Sequence, residues 1–186
     1  MRRKNTTSEM MKGYLVDSLF WWMKKKPFHD ITIGEIAKKA GVNRSTYYRH
    51  FYSKEDIIAF GFERMMKEYL EAVTAMGNIS HETYLYEMFS HFYRHKEELL
   101  LMNRHGVAHL ILGVLNRIFL AKASSSDFSD QFPLWYHTGG IYHVFLLWFS
   151  FDMEISPRIM TDLAVKMFPA DYRSILLREK PVKAQD

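Results

Sequence analysis

Ile31 to Lys54 of this 186-residue chain, ITIGEIAKKAGVNRSTYYRHFYSK, predicts two short helices joined by a tight turn. Apolar residues recur at helical spacing at Ile33, Ile36 and Ala40, so the first helix has one face for a core. Gly41 follows where a helix ends with a positive φ, a conformation that a Cβ atom disfavours. The pattern therefore indicates a helix, a glycine turn and a second helix.

The second helix, residues 44–51, divides its side chains between two faces. Tyr47 and Phe51 lie four residues apart and are placed to pack on the core. Val42 is placed to fill the angle between the helices, and Asn43 to cap the second one. The other face carries hydrogen-bond donors, namely Arg44, Ser45, Thr46, Tyr48, Arg49 and His50. This layout is typical of a helix-turn-helix whose second helix enters the major groove of DNA, with an ordinary αα-hairpin as the alternative.

The charge distribution favours the DNA-binding interpretation. Residues 1–60 carry a net charge of +6 and residues 61–186 a net charge of −2, which gives the overall +4. A basic first third attracts phosphate at the segment that holds the motif. Arg2-Arg3-Lys4 adds a short basic arm, which we expect to be disordered in the free protein. It can reach an adjacent minor groove or contact phosphates, with an inert terminus as the alternative.

A longer pattern around the motif resembles a known family. It reads Lys25-x-Pro27-Phe28-x-x-Ile31-Thr32-Ile33-x-x-Ile36-Ala37-x-x-Ala40-Gly41-Val42-x-x-x-Thr46-Tyr47-Tyr48-x-His50-Phe51-x-x-Lys54-x-x-Ile57. This pattern is similar to the N-terminal domain of the TetR family of bacterial transcriptional regulators and covers about the first third of the chain. The spacing around Gly139-Gly140 and Trp148 loosely resembles a subgroup with a short helical C-terminal domain.

The resemblance implies an all-α fold and a DNA-binding role. A three-helix domain over residues 1–54, with its motif at about 33–52, precedes a helical ligand-binding and dimerisation domain over residues 55–186. The implied function is a homodimeric repressor of a pseudo-palindromic operator in double-stranded DNA. Phosphate contacts are implied for Thr32, Thr46, Tyr48, His50 and Lys54, whereas Arg44, Ser45 and Arg49 are our candidates for base edges. Gly34 offers only backbone where the family usually has Thr or Ser.

Periodicity predicts helices along the whole chain and no strands. A helix over about 8–26 precedes the motif, and Ser53 begins another that reaches about Met76. After a break at 77–80, further helices are expected over 81–95, 97–104, 106–122, 132–152 and 156–168, with Pro157 opening the last. Residues 124–130 are predicted to form a loop, and residues 179–186 a frayed tail.

Residues 132–151, FPLWYHTGGIYHVFLLWFSF, are apolar nearly all round, so this helix must be covered on every side. Gly139 and Gly140 allow two helix backbones to approach closely. We therefore predict a homodimer interface, in which this helix and 156–168 form a four-helix bundle across a two-fold axis. A central core helix in a monomer is the alternative.

The resemblance also implies a pocket for a small hydrophobic or aromatic effector in the second domain. The side chains expected to line it are Tyr69, Met88, Phe92, His109, Tyr136 and His143. Each of them is equally suited to an ordinary core or interface position. The alternative is a DNA-binding protein of the same fold without a small-molecule effector, controlled by a protein partner.

Other functions find little support in the sequence. The chain has no cysteine, no catalytic motif and no cofactor-binding signature, so we predict no enzyme and no cofactor. His91 and His95, like His105 and His109, have the i,i+4 spacing of a zinc pair, but no third ligand is evident, so no metal site is predicted. A metal-binding or enzymatic helical protein is the remote alternative. Without a signal peptide or an apolar run of membrane-spanning length, we expect a cytoplasmic protein with no membrane partner.

Overall fold

The computed structural model describes residues 2–120 and 127–167, which contain α-helices and one short 3-10 turn but no strand. The helices are α1 (Arg2–Met23), α2 (Ile33–Lys39), α3 (Arg44–His50), α4 (Lys54–Ala75), α5 (His81–Arg94), α6 (Lys96–Arg104), α7 (Leu110–Phe119), α8 (Phe128–Ser150) and α9 (Pro157–Met167). The 3-10 turn spans Phe28–Asp30. The predicted all-α class is confirmed.

Local sequence signals account for most helix ends. Thr32 and Ser53 each form a capping box. The capping side chain accepts from the backbone N–H three residues later, and the acidic side chain of that later residue accepts from the backbone N–H of the capping residue. Gly41 has a φ of +69° between α2 and α3, as predicted. Asn43 occupies the N-cap position of α3, but its side chain makes no capping hydrogen bond.

Several predicted boundaries are wrong. The basic arm forms the first turn of α1, which begins at Arg2 and ends at Met23. Helix α7 begins at Leu110 instead of 106, because Gly106 takes a positive φ of 72° and interrupts the helix there. Helix α8 begins at Phe128, inside the predicted loop, because Asp127 caps it through the backbone N–H of Ser129. Residues 124–126 and the predicted tail at 179–186 lie outside the described residues.

One continuous apolar cluster joins the helices. It runs from Leu15 in α1 through Ile57 and Phe62 in α4 to Trp148 in α8 and Ala164 in α9. Helix α1 packs against α2 and α4, α4 packs against α5 and α7, α7 against α8, and α5 against α9. The long α4 therefore follows the motif directly and also contributes to the core of the second half, so it links the two mechanically.

A second junction between the two halves is polar. The ring of His105, just after α6, accepts from the backbone N–H of Phe28 at Nδ1 (3.2 Å). Its Nε2 lies 2.8 Å from the carbonyl oxygen of Met23 and donates to it. Lys24 also pairs with Glu97 on α6 at 2.6 Å. The segment that leads from α1 to the motif is thus tied to α6.

No helix in the described ranges is long and apolar enough to cross a bilayer.

Candidate DNA interface

Helix α2 is fixed to α1 by apolar packing and by two hydrogen bonds, and α3 packs against α2. The hydroxyl of Ser18 donates to the carbonyl of Ile36 at 2.8 Å in the interior, and the indole N–H of Trp22 donates to the carbonyl of Glu35 at 3.2 Å. Tyr47 of α3 and Phe51 directly after it are buried, as their spacing predicted. These contacts hold α3 by one face and leave its other face to solvent.

A charged network fixes the start of α2. The carboxylate of Glu35 accepts from Lys26 Nζ at 2.7 Å and from both the backbone N–H and the hydroxyl of Thr32. The Lys26 hydrogen bond, followed by those from Thr32, lowers the pKa of Glu35 to about 2. Because the Thr32 hydroxyl donates to Glu35 and accepts from its N–H, it has no proton left for a phosphate. The structure therefore does not support the predicted side-chain phosphate contact of Thr32.

The outer face of α3 presents the predicted reading side chains together. Arg44, Ser45, Tyr48 and Arg49 are exposed, whereas Thr46 is half-buried at the edge of the same face. Neither arginine is paired with a carboxylate among the described residues. Cationic and hydroxyl donors without internal partners are available to a polyanion.

Gly34 determines where the Arg44 guanidinium lies. A Cβ atom built on Gly34 would be 2.4 Å from Arg44 Nη2 and 3.1 Å from its Cζ. Any larger residue at position 34 would therefore displace the end of that side chain. In the sequence, Gly34 only removed a possible side-chain contact to DNA. In the structure, its missing side chain leaves room for the guanidinium of Arg44 at the start of α2.

His50 closes the same face at the end of α3. It is half-buried, and burial, with smaller contributions from Lys12 and Arg49, lowers its pKa from the usual value. The imidazole is therefore neutral near pH 7. His50 can offer an N–H to a phosphate oxygen, but it brings no positive charge to the interface.

The side chain of Lys54 faces the protein instead of DNA. Its Nζ donates to the carbonyls of Phe28 (2.6 Å), His29 (3.2 Å) and Ile31 (2.8 Å), and burial lowers its pKa. All three ammonium donors are occupied. We therefore correct its predicted role from phosphate contact to positioning of the turn before α2.

Sequence reasoning missed one side chain at this surface. Tyr52 follows α3 directly and is 96% exposed, while its backbone N–H donates to the Asp56 carboxylate at 2.9 Å. An exposed aromatic ring next to the donors of α3 can contact the sugar-phosphate backbone. The segment HFYSK contained the signal, since Tyr52 lies between a buried Phe51 and a helix cap.

The six residues predicted for an effector pocket do not meet. Tyr69, Met88 and Phe92 are buried in the packed core. His109 and His143 are exposed and bond to the carbonyls of Gly106 and Gly139 in their own helical turns. Tyr136 is 68% exposed on α8. The six side chains therefore do not line one common cavity in this structure, because helical periodicity cannot separate an inward aromatic residue from one on an uncovered outer face.

The interior beside Met88 is closely filled. The gap among Met88, Phe89, Ile141, Val144 and Phe145 has no room for a water-sized sphere. Ligand pockets usually measure about 300–1,000 Å³. A larger groove of about 650 Å³ lies at the surface between α4 and α7, beside Leu70 and Ile118, and is open to solvent.

The fold and this surface define a helix-turn-helix protein. Residues 22–59 match the family model described as bacterial regulatory proteins, tetR family, and this segment contains the predicted motif. Comparison with curated proteins finds no match.

Solved structures share the all-α fold over nearly the whole chain. Lin0861 from Listeria innocua is 15% identical with a TM-score of 0.68, and the match covers 87% of this chain and 91% of that one. Thermus thermophilus FadR, a TetR family transcriptional repressor in complex with lauroyl-CoA, is 17% identical with a TM-score of 0.51 (94% and 100% covered). The fatty acid degradation regulator FadR from Bacillus halodurans is 16% identical with a TM-score of 0.52 (94% and 97% covered).

Proposed function

We propose that this protein is a sequence-specific DNA-binding transcriptional repressor that acts as a homodimer. The observation that carries the proposal is the outer face of α3, where Arg44, Ser45, Tyr48 and Arg49 are exposed on a helix whose other face is fixed in the core. Arg44 and Arg49 can each grip guanine O6 and N7 bidentately. Ser45 is the third base-edge candidate, and Thr46, Tyr48 and His50 position the protein on the phosphates.

Dimerisation through α8 and α9 is supported by a long uncovered apolar face. Phe132, Trp135, Leu147 and Phe151 follow one side of α8 and its end, and each is more than half exposed. Ile159, Leu163 and Met167 form a matching exposed row on α9 at i,i+4 spacing. Patches of this kind mark an interaction site. A second copy covers them in a four-helix bundle, with two α3 helices about one DNA turn apart.

Gly139 supports the close approach of two α8 helices. It is half-exposed, and nothing lies within 4 Å of the position that its Cβ would occupy. The surface at Gly139 is therefore open, and the backbone of a partner helix can approach it closely.

A repressor role agrees with the function of the Thermus thermophilus FadR, a repressor with a similar fold. The packed interior around Met88, however, gives no support to an effector cavity at the residues first expected to line it. We therefore favour a regulator whose control does not depend on a preformed hydrophobic cavity.

The test begins with selection of an operator from random duplexes by the full-length protein. Arg44→Ala is then expected to relax the preference at one or two operator positions, at a cost of about 1–3 kcal/mol on the best site. Tyr48→Ala removes a proposed contact to the DNA backbone, so it is expected to weaken binding to all duplexes by a similar factor. If Arg44→Ala lowered the affinity for operator and random DNA equally, base reading by Arg44 would be refuted.

Arg117→Ala provides the matched control. Arg117 is an exposed arginine on α7 that pairs with Glu63 at 3.6 Å, away from α3. Its removal takes away one positive charge and is expected to leave operator preference unchanged. Failure to enrich any sequence in the selection would contradict the proposed function itself.

A further inference from the structure

Three metal-ligating side chains meet between α4 and α5, away from the DNA interface. Glu68, His91 and His95 each offer one ligand atom, and these atoms all lie within 4.8 Å of one another. Glu68 Oε2 is 3.9 Å from His95 Nε2. We propose that Glu68, His91 and His95 bind a divalent transition-metal ion of the Zn²⁺ type, which controls DNA binding through α4.

The ligand set fits a borderline ion. Two imidazoles and one carboxylate suit Zn²⁺, Ni²⁺ or Co²⁺ and not the all-oxygen sites of Mg²⁺ or Ca²⁺. Bonds of about 2.0–2.1 Å place tetrahedral ligands roughly 3.4 Å apart. Side-chain rotations that move the three atoms by about 1 Å are therefore sufficient to close the site, and a fourth position is left for water.

His91 is already oriented by the protein. It is buried, and its Nε2 lies 2.8 Å from the carbonyl oxygen of Met65 on α4. Histidine ligands of metals usually donate their second ring N–H to such an acceptor.

Arg94 is the competing cation. Its Nη2 lies 3.2 Å from His91 Nδ1, and its side chain is exposed. The guanidinium can therefore swing into solvent when an ion arrives, but its charge opposes that arrival. Removal of the Arg94 charge is therefore expected to raise the affinity of the site for the metal ion, whereas removal of a ligand lowers it.

The other pair of histidines with the same spacing forms no such site. His105 uses both ring nitrogens on Met23 and Phe28, and His109 bonds to the carbonyl of Gly106. The third ligand of the first pair, Glu68 on α4, lies 23 residues before His91 in the sequence, so the spacing of the histidines gave no indication of it.

The position of Glu68 links the site to the DNA-binding domain. Arg64 lies 3.9 Å from Glu68 and 3.6 Å from Asp17 on α1. An ion that takes the carboxylate of Glu68 removes a partner of Arg64 and pins α4 to α5. Three residues separate the end of α3 from the start of α4, so a shift of α4 also moves α3. The ion favours the arrangement of α4 and α5 in which it binds more tightly, and it thereby changes the position of α3. This regulatory step rests on the proposed function.

Metal binding is tested on the untagged full-length protein after chelator treatment. Titration with Zn²⁺ against a chromogenic chelator is expected to give one ion per chain, and Co²⁺ is expected to give visible absorption bands of a nitrogen- and oxygen-ligated site. Glu68→Gln and His95→Gln should each weaken Zn²⁺ binding by at least about 10- to 100-fold, the loss caused by removing even a residue that only orients a ligand. Arg94→Gln should strengthen it severalfold.

Matched controls remove the same residue types outside the site. Glu71→Gln removes a carboxylate one turn further along α4, and His109→Gln removes an exposed histidine; both should bind Zn²⁺ like the wild type. The site is refuted if the wild type binds no stoichiometric Zn²⁺, or if Glu68→Gln and His95→Gln bind it equally well. Weaker binding by Arg94→Gln would also contradict it.

The regulatory step has its own readout. Zn²⁺ should change the operator affinity of the wild type and leave that of Glu68→Gln unchanged. An operator affinity of the wild type that is the same with and without Zn²⁺ would refute regulation while the site stands. Absence of operator binding under both conditions would refute the proposed function, and the metal site would then be judged by its Zn²⁺ affinity alone.

Discussion

The His105 junction makes a quantitative prediction about how the two halves stabilise each other. His105→Ala removes the acceptor of the Phe28 N–H and the donor to the Met23 carbonyl, at 3.2 and 2.8 Å. Each such hydrogen bond contributes about 0.5–1.5 kcal/mol net, so the loss should total about 1–3 kcal/mol. The half-buried position of His105 lets water replace part of each bond, which keeps the cost within this range.

The assay is urea unfolding followed by far-ultraviolet circular dichroism, with all variants at one protein concentration because the proposed dimer makes stability depend on concentration. His105→Asn places an oxygen close to the position of Nδ1, so it should accept from Phe28 but not reach Met23. We expect its loss to be about half that of His105→Ala. Thermal unfolding should shift by about 2–4 °C per kcal/mol in a chain of this size.

His109→Ala is the control, since His109 is exposed and bonds only to Gly106 in its own turn. Its effect should stay within about 0.5 kcal/mol. If the unfolding free energy of His105→Ala also lies within about 0.5 kcal/mol of the wild-type value, the two hydrogen bonds do not stabilise the contact between the halves. If His105→Asn is as unstable as His105→Ala, the Phe28 bond contributes nothing.

Three further predictions concern dimerisation, pH and salt. Gly139→Leu should give helical monomers by sedimentation equilibrium, with little affinity for the operator. Gly113→Leu, at an equally open glycine on α7, should remain dimeric. A dimeric Gly139→Leu would contradict the close approach of two α8 helices. The pKa of Glu35 is about 2 when folded and 4.5 otherwise, so its stabilisation is present above about pH 4.5 and is lost as pH falls to 2. Glu35→Gln should therefore be less stable at pH 7 and flatten the pH dependence of the unfolding free energy in that window, and a slope equal to the wild type's would argue against the Lys26–Glu35–Thr32 network. Operator affinity should fall by about 10³–10⁵ between 50 and 200 mM salt if 6–10 phosphates are contacted, and a flat dependence would contradict the interface.

The helix-turn-helix could be predicted because its signals are local. Gly41 provides the positive φ, Thr32 and Ser53 cap the helices that follow them, and Tyr47 and Phe51 meet through i,i+4 geometry. Each of these interactions joins residues that are close in sequence. Their outcome is decided by backbone sterics and helix periodicity before any tertiary contact forms.

The uses of individual polar side chains could not be predicted in the same way. Lys54 carries a charge that suits a phosphate, but the carbonyls of the 3-10 turn lie within reach only when the chain is folded. Arg44 lies over Gly34 for a similar reason, since α2 and α3 cross there. A sequence specifies which donors exist, whereas the fold decides which acceptors lie within 3 Å of them.

Sequence alone therefore determined the helical class, the helix-turn-helix motif and the apolar character of residues 132–151. Only the tertiary structure decided that Tyr69 and Phe92 fill the core while Tyr136 faces outward, and that Glu68 joins His91 and His95. Periodicity assigns a residue to a face of its own helix but not the neighbour that covers that face. That neighbour depends on long-range packing, in which α4 and α5 approach each other from separate parts of the chain.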